Sequence, residues 1–176
     1  NKNKNKTLRQ LFSSGELSRS VGAHDGLGAK LIGESGFEAV WASGLEISAS
    51  YGVPDANILT MTQFLSKAYE MNQATTLPII ADCDTGFGNV NNAIYMMEQY
   101  ESHGISGICI EDKKFPKVNS FIEGRQDLAD INEFSGKIRA VTDAKKDKNI
   151  VLIARVEALI AGWGMEEALK RSYAYE

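Results

Sequence analysis

Long apolar runs are missing from this sequence, and their absence argues against a membrane protein. No run approaches the roughly 18 consecutive apolar residues that a membrane-spanning helix needs. The opening NKNKNK is cationic but has no apolar stretch behind it, so it does not have the form of a secretory signal. We therefore predict a polar tail over residues 1–6 and one domain over residues 7–176.

A strong excess of one charge is missing as well. The 19 Lys and Arg residues stand against 23 Asp and Glu residues, which gives a net charge of −4. The Trp and Tyr residues are scattered rather than clustered with basic residues. Since nucleic-acid-binding surfaces are usually basic patches or stripes, we expect no nucleic-acid partner.

Cysteine is scarce, which bears on the redox environment. Cys83 and Cys109 are the two cysteines, and both lie within apolar, strand-like runs. Buried reduced thiols explain such positions better than a disulfide or a pair of metal ligands. We therefore expect a cytoplasmic protein.

What the sequence does contain is a repeated alternation of two patterns. Short runs rich in Val and Ile end in polar or charged residues, and segments of helical period follow them. The predicted strands lie within residues 20–25, 38–43, 77–84, 104–112 and 149–157. Helices are predicted over residues 60–74, 89–104, 130–146 and 164–176. Asn89 is the expected N-cap of the second of these helices, and Gly104 is expected just after its end.

This alternation predicts an α/β fold with a parallel sheet covered by helices on its outer face. An open doubly wound sheet and a (β/α)8 TIM-type barrel both fit. The dinucleotide-binding open sheet needs G-x-G-x-x-G, but GLGAKL at residues 26–31 has Leu31 where the third glycine belongs. We therefore favour the barrel. Because a barrel typically takes about 250 residues, five βα units predict the N-terminal part of a longer chain.

Three carboxylates follow neighbouring strands of this predicted sheet. Asp82 and Asp84 end the third strand, and Glu111 ends the fourth. Barrel active sites lie at the C-terminal ends of the strands, so these side chains are expected to meet. Three adjacent carboxylates need a cation, and oxygen ligands without His or Cys suit Mg²⁺, or Mn²⁺. The alternative is that each carboxylate caps the following helix, but three on adjacent strands favour a metal site.

An arginine stands at the same predicted edge. Arg155 is near the end of the fifth strand, and its planar guanidinium suits a carboxylate or phosphoryl anion. An ion pair with Glu111 or Glu157 is the alternative interpretation. The sequence alone leaves both open.

The residues after the second predicted strand supply neutral groups. The Ser43 hydroxyl and the amides of Gly44 and Leu45 predict a nest for an oxyanion, although a turn that requires glycine would have the same sequence. Trp41 fits either the core or the wall of a pocket. Asp55 lies in the long loop that follows.

The segment EDKKFPKVNS, residues 111–120, has the composition of a lid over an anionic substrate. Its lysines bring positive charge, while Asn119 and Ser120 offer hydrogen bonds without a general base. A lid of this kind would exclude water during phosphoryl transfer. The lysines are Lys113, Lys114 and Lys117.

The same segment resembles the E-D-K-x(5)-N-S signature of the phosphoenolpyruvate mutase family, within the isocitrate lyase/phosphoenolpyruvate mutase superfamily. WASGLEISASYGVPD and ADCDTGFGN resemble other site segments of that superfamily, and the similarity runs from about Thr7 to the end. The resemblance implies a modified (β/α)8 barrel. It also implies an isomerase that interconverts phosphoenolpyruvate and phosphonopyruvate, the first step of phosphonate biosynthesis.

The resemblance also implies roles for the metal and pyruvate groups. Asp82 would bind Mg²⁺ directly, with Asp84 and Glu111 acting through bound waters. A separate group would hold the pyruvyl oxygens and wall the pocket. That group is Ser43, Gly44, Leu45 and Trp41.

For the phosphoryl group the resemblance implies a second set of contacts. Asp55 would lie beside the migrating phosphoryl, and Arg155 would hold the anionic end of the substrate. Lys117, Asn119 and Ser120 would be gating-loop residues, with Asn119 touching the phosphoryl group.

Assembly and partners are implied in the same way. The family forms a homotetramer with helix exchange, and a phosphonopyruvate decarboxylase would draw the unfavourable equilibrium forward. A further active-site histidine of the family lies beyond the fifth strand, outside this sequence, so this chain by itself is expected to be inactive.

Rival functions remain. A phosphonopyruvate hydrolase would share the metal site. Asn119 favours the mutase, because the resemblance to the hydrolase would imply a different residue at that position. Lyases of the superfamily resemble K-[KR]-C-G-H after the fourth strand, and residues 111–117 contain no cysteine. Another 2-oxo-acid lyase or decarboxylase stays open. A non-catalytic barrel that acts as a binding or scaffold subunit is the alternative from a different class.

Overall fold

A computed structural model describes residues 2–122 and 126–176, and within them five parallel strands form one sheet in the order β1-β2-β3-β4-β5. The strands are β1 (Ser20–Ala23), β2 (Ala39–Ala42), β3 (Ile79–Asp82), β4 (Gly107–Glu111) and β5 (Val151–Arg155). Each lies within one of the predicted runs. Consecutive order with helical crossovers is what successive right-handed βα units produce.

Seven helices in the described residues flank and connect these strands. They are α1 (Lys2–Ser13), α2 (Gly26–Glu34), α3 (Gly44–Ser50), α4 (Met61–Ala74), α5 (Val90–Ser102), α6 (Ile131–Ala144) and α7 (Gly164–Tyr175). The four predicted helices are confirmed as α4, α5, α6 and α7. Asn89 caps α5 by accepting the amides of Asn91 and Asn92, and Gly104 follows the helix at φ +77°.

Side chains alternate between the two faces of the sheet, and this places the site. Val40, Ile79 and Ile108 point outward and pack in the main core with apolar residues of α4, α5 and α6. Ala39 and Ile80 belong to a smaller cluster on the opposite, inner face. Because the period along a strand is two residues, four further side chains share the inner face. They are Trp41, Asp82, Glu111 and Arg155.

The N-terminus differs from the prediction of a solvated polar tail. Residues from Lys2 onward form α1, and Leu8 of this helix is 1% exposed in the inner cluster. Lys4 donates hydrogen bonds to the Asn72 carbonyl and side-chain oxygen at 2.8 and 2.7 Å. A Cβ on Gly107 would lie 2.8 Å from Leu8 Cδ2, so this glycine admits α1 against the sheet. The helix was missed because Asn and Lys dominate its first turns, so its few apolar residues make up only a short apolar stripe.

The long loop predicted after β2 also contains a helix. Ser43 accepts the Glu46 amide at 3.2 Å and thereby caps α3. In residues 2–122 and 126–176, no helix combines the length and the apolar character that crossing a membrane requires.

Candidate active site

The carboxylates predicted to form a metal site do come together at the C-terminal edge of the sheet. A Cβ built on Gly44 would lie 3.1 Å from Asp82 Oδ2 and 3.6 Å from Asp84 Oδ1. Glu111 is paired in register with Arg155 on the neighbouring strand. The capping alternative does not hold, because Asn89 caps α5 and Asp130 caps α6. These carboxylates are therefore not helix caps.

Burial leaves two of these carboxylates short of charge compensation. Burial raises the pKa of Glu111 to about 7, although the positive charges of Lys117 and Arg155 oppose the shift. Burial likewise raises the pKa of Asp84 to about 6, again against the charge of Lys117. Glu111 Oε1 is buried without a hydrogen-bond partner among the described residues. A cation would relieve both carboxylates.

The donor set fits a hard divalent cation that keeps part of its water. In the part of the chain that the structure describes, no three His, Cys, Asp or Glu side chains are arranged to hold one ion directly. An ion held directly by one carboxylate and through water by others would not need three direct ligands, and Mg²⁺ commonly keeps several waters. Asp84 adopts a left-handed φ of +50°, which is uncommon for a residue other than glycine, and its Oδ1 lies against Lys117 Nζ.

Lys117 reaches from the predicted lid into this carboxylate cluster. Its Nζ lies 2.6 Å from Asp84 Oδ1 and 3.0 Å from Asp55 Oδ2. Burial by itself lowers the pKa of Lys117, but the charges of Asp84 and Glu111 outweigh burial and raise that pKa above its usual value. Lys117 thus carries a buried ammonium group from the predicted lid into the cluster.

Asn119 and Asn57 make further contacts on the same side of the site. Asn119 Nδ2 donates to Asp55 Oδ2 at 3.2 Å, so the lid amide and the loop carboxylate predicted to flank the phosphoryl group are neighbours. Asp55 Oδ1 is buried and has no hydrogen-bond partner in the described residues. Asn57 contacts both Asp84 and the Lys117 backbone.

The structure shows the ion-pair alternative for Arg155, with both glutamates as partners. Its Nε donates to Glu157 Oε1 at 2.5 Å, and its Nη1 lies 3.6 Å from Glu111 Oε2. The side chain stays 35% exposed, so the rest of the guanidinium faces the pocket. Glu157 also accepts from Ser120 Oγ at 3.0 Å and pairs with Lys113 Nζ at 3.2 Å.

The lysines of the lid therefore differ from one another. Lys113 was expected to bring charge over the substrate, but it is buried and holds Ser120 Oγ at 2.6 Å as well as Glu157. Lys114 is exposed to solvent. Only Lys117 lines the cavity, so it is the lysine placed to act on a bound anion.

A cavity of about 570 Å³ opens onto these groups. Its lining is Trp41, Ser43, Leu45, Asp55, Asp82, Lys117, Asn119, Ser120, Phe121, Arg155 and Ile160. Trp41 is thus at the pocket wall, and Gly44 passes close to the Asp82 and Asp84 carboxylates. Phe121 and Ile160 were not predicted, because an apolar residue beside a polar motif gives no signal of its own.

Two polar residues were also missed. Asn57 follows Asp55 by two positions, and Glu157 follows Arg155 by two positions. Glu157 was considered only as an ion-pair alternative. Glu157 could have been found as a polar side chain close enough in the chain to orient Arg155. Asn57 gave no such signal, because its partners Asp84 and Lys117 are remote in the chain.

A parallel βα sheet with carboxylates, an arginine and a closing loop at its C-terminal edge defines a site of the barrel-enzyme type. The family model described as phosphoenolpyruvate phosphomutase matches residues 8–176. The chain therefore belongs to the phosphoenolpyruvate phosphomutase family, as the resemblance predicted.

Relatives and solved structures agree with this assignment. The sequence is 51% identical over 174 residues to a phosphonopyruvate hydrolase of Variovorax sp. (strain Pal2), covering 98% of this chain and 60% of the relative. The crystal structure of a phosphoenolpyruvate phosphomutase from Streptomyces platensis subsp. rosaceus superposes with a TM-score of 0.95 at 54% identity, covering 97% of this chain and 60% of that chain.

A third match is a structure with bound ligands. The structure of a phosphonopyruvate hydrolase in complex with oxalate and Mg²⁺ superposes with a TM-score of 0.91 at 49% identity, covering 98% of this chain and 59% of that one. The chain spans about 60% of the length of these relatives. The predicted fold is confirmed: the five strands are the first five βα units of a (β/α)8-type barrel.

Proposed function

We propose that this chain carries the N-terminal part of a phosphoenolpyruvate mutase site. The reaction would break the phosphorus–carbon bond of phosphonopyruvate and form a phosphorus–oxygen bond on the same pyruvate skeleton. The observation that supports it is the closed lid, in which Lys117 and Asn119 both contact Asp55 at the edge of the carboxylate cluster. A phosphoryl group beside Lys117 and Asn119 would be held by the charge of the ammonium group and by hydrogen bonds from both side chains.

The proposed metal ligands are Asp82 directly and Asp84 and Glu111 through water. Bound Mg²⁺ would supply a positive charge that stabilises the enolate form of pyruvate. The raised pKa values of Asp84 and Glu111 support this assignment, since a bound cation would stabilise the ionised form of both buried carboxylates. Mn²⁺ has the same oxygen preference and is an acceptable substitute.

The remaining roles follow from position around the cavity. Arg155, with part of its guanidinium exposed to the pocket, would bind the anionic end of the substrate. Ser43 and the amides of Gly44 and Leu45 would hold the pyruvyl oxygens beside Trp41. Ser120 would hold the lid to Glu157, at an observed distance of 3.0 Å.

The neutral amide of Asn119 and the pairing of Asp55 support the mutase over the hydrolase. A loose, metaphosphate-like phosphoryl group needs positioning more than a strong base, and any water nearby would capture it. Asn119 is a neutral amide, and its partner Asp55 is already paired with the Lys117 ammonium. The hydrolase remains the second candidate because a hydrolase shares 51% identity with this chain.

Other candidates are ranked lower. A carbon–carbon lyase would resemble K-[KR]-C-G-H after β4, and Glu111–Lys117 has no cysteine. Decarboxylation of another 2-oxo acid would use the same carboxylates and Arg155. Burying charged groups around an open cavity costs free energy. A scaffold subunit would have no need for such groups, so the scaffold is disfavoured.

The proposed cellular setting follows the family. We propose a homotetramer with helix exchange, a cytoplasmic location consistent with two buried free cysteines, and functional coupling to a phosphonopyruvate decarboxylase. That coupling is needed because phosphoenolpyruvate is the favoured side of the equilibrium.

The test is ³¹P NMR of phosphonopyruvate with the full-length protein and Mg²⁺, followed over time. A phosphate-ester signal at the phosphoenolpyruvate position, without early inorganic phosphate, supports the mutase. Inorganic phosphate as the first product would make the protein a hydrolase. If neither forms, Mg²⁺-dependent binding of oxalate separates an enzyme for other 2-oxo acids from a scaffold, which would not bind it.

A further inference from the structure

Asn57 joins the lid to the carboxylate cluster through a single side chain. Its Nδ2 donates to Asp84 Oδ2 at 2.7 Å, and its Oδ1 accepts the backbone amide of Lys117 at 2.5 Å. The first partner is a proposed metal-site group and the second is the backbone of the lid residue that enters the site. One carboxamide therefore spans the two parts that have to meet for the reaction.

The partners also explain why this residue is asparagine. Asp84 as a carboxylate can only accept, and a backbone amide can only donate, so the bridging group needs one donor and one acceptor at fixed separation. These partners determine which end of the Asn57 amide is oxygen. Asn57 has φ +56°, a left-handed conformation that Asn tolerates better than most residues. Aspartate would place two carboxylates in contact, and glutamine would be too long.

A second contact links Lys117 to the same carboxylate. The Lys117 side chain lies 2.6 Å from Asp84 Oδ1, while Asn57 occupies Asp84 Oδ2. Backbone and side chain of Lys117 thus reach the same carboxylate, the former through Asn57 and the latter directly. Moving the lid by one residue would break both contacts together.

We propose that Asn57 is a positioning residue that couples closure of the lid to the orientation of Asp84. The lid is held shut only when Asp84 is turned toward the cluster, and Asp84 is held in that orientation only when the lid is shut. Loss of the bridge should let the lid open more often and admit water to the phosphoryl group. The catalytic consequence rests on the proposed function, whereas the contact itself does not.

The first test is the variant Asn57→Gly in the full-length protein. Glycine accepts the left-handed backbone, so the change removes the two hydrogen bonds without introducing strain. We expect hydrogen exchange of the Lys117 amide to become about tenfold faster, the effect of losing one hydrogen bond to an amide. The amide of Lys114, which donates to the Asp127 carbonyl at 2.9 Å, should keep its protection.

Ala56→Gly is the matched control. It adds the same backbone freedom one residue away and removes no side-chain hydrogen bond, so exchange at Lys117 should stay as in the wild type. Unchanged exchange at Lys117 in Asn57→Gly would overturn the proposal. Faster exchange in both glycine variants would also overturn it, because backbone freedom and not the carboxamide would then be the cause.

Asn57→Asp separates the two ends of the bridge. The carboxylate can still accept the Lys117 amide but cannot donate to Asp84. Because the coupling holds the lid shut through Asp84, exchange at Lys117 should become faster even though its own acceptor is kept. Turnover should fall about tenfold, and the fraction of inorganic phosphate among the products should rise. Wild-type turnover and product ratio in this variant would overturn the coupling. This variant decides the matter if Asn57→Gly loses protection at core amides such as Ile110.

These readouts separate failure of the inference from failure of the proposed function. Exchange at Lys117 is measured in the free protein and needs no substrate. If the wild type turned over no phosphonopyruvate, the proposed function would fail, and Mg²⁺-dependent oxalate affinity would replace turnover as the second readout. We expect that affinity to fall in Asn57→Asp, and an unchanged value would overturn the coupling.

Discussion

Glu111 and Asp112 are neighbours in the sequence and are both buried, yet their surroundings differ completely. Asp112 Oδ1 accepts the Glu157 amide at 2.8 Å, and its Oδ2 accepts from Arg171 Nη1 at 3.1 Å and from the Tyr175 hydroxyl at 2.8 Å. Glu111 has one oxygen, Oε1, without a hydrogen-bond partner in the described residues.

The difference shows how a structural carboxylate is told from a functional one. Asp112 points to the helix side, where it connects α7 to the end of β4, and residues of the fold compensate its charge. Glu111 points to the inner face, where Lys117 and Arg155 compensate its charge only in part and burial raises its pKa to about 7. Buried charge without full compensation is typical of sites that await a ligand.

The largest expected effect is on the Asp112 side of this comparison. Asp112→Asn removes the fully buried carboxylate partner of the Arg171 guanidinium, which is 3% exposed, and leaves only the partly exposed Glu167 at 2.9 Å as its ion pair. Breaking a buried ion pair costs about 3–5 kcal/mol, so the free energy of unfolding in urea should fall by up to that amount. The exposed Asp143→Asn is the control and should change it by less than about 0.5 kcal/mol. A loss equal to the control would mean that Asp112 is not structural.

The Glu111 side should respond to pH in the metal-free protein. Its pKa is about 7 in the folded state and near 4.5 when unfolded, so the folded state retains its proton longer. The free energy of unfolding should therefore fall as pH rises from about 4.5 to 7, by up to roughly 3 kcal/mol. Above pH 7 this contribution is constant. Asp84, raised to about 6, acts in the same direction.

Urea titrations across this pH range check the prediction. Glu111→Gln should remove part of the slope, and saturating Mg²⁺ should flatten it for the wild type, because the ion stabilises the ionised carboxylates. A slope that is equally steep in Glu111→Gln would assign it to other groups.

Metal affinity should separate Glu111 from ordinary surface carboxylates. Glu111→Gln should weaken binding of Mg²⁺ or Mn²⁺ by about 10–100-fold, the usual cost of removing an outer partner of a metal site. Isothermal titration of the intact protein measures the change. Glu133→Gln, on the exposed side of α6, should bind the ion as the wild type does, and equal affinities for both variants would exclude Glu111 from the site.

The smallest effect concerns the third partner of Asp112. Tyr175→Phe removes one donor to the carboxylate and leaves the ring contact with Phe134, whose centroid is 4.7 Å away. We expect a loss of about 1 kcal/mol in the free energy of unfolding. Tyr173→Phe, at a side chain that is 74% exposed, is the matched control and should be neutral. Equal values for the two would indicate that the hydroxyl adds nothing to the network.

Much of the fold could be predicted because periodicity is local. The five strands and helices α4 to α7 lie where the apolar pattern and caps such as Asn89 indicated. Helix α1 was missed, since its contacts are with remote residues: Leu8 packs close to Gly107, which lies 99 positions away in the chain by their residue numbers, and Lys4 donates to Asn72. Such a contact leaves no trace in the N-terminal segment itself.

The site was predicted in part for the same reason. Strand ends could be read from the sequence, so Asp82, Glu111 and Arg155 were expected at one edge. The partners of each side chain could not be read. Lys113 turned out to be buried against Glu157, and Lys117 entered the carboxylate cluster, although both belong to one short lid.

By itself the sequence determined the order of the five strands and of helices α4 to α7, the family, and the set of charged residues at the strand ends, because these depend on local patterns and residue types. The tertiary structure alone decided which charges are compensated. Glu111 and Asp112 are chemically similar and adjacent, but the alternation along β4 sends one toward the open cavity and the other toward Arg171. Compensation depends on distances between groups remote in the chain, and only the folded structure sets those distances.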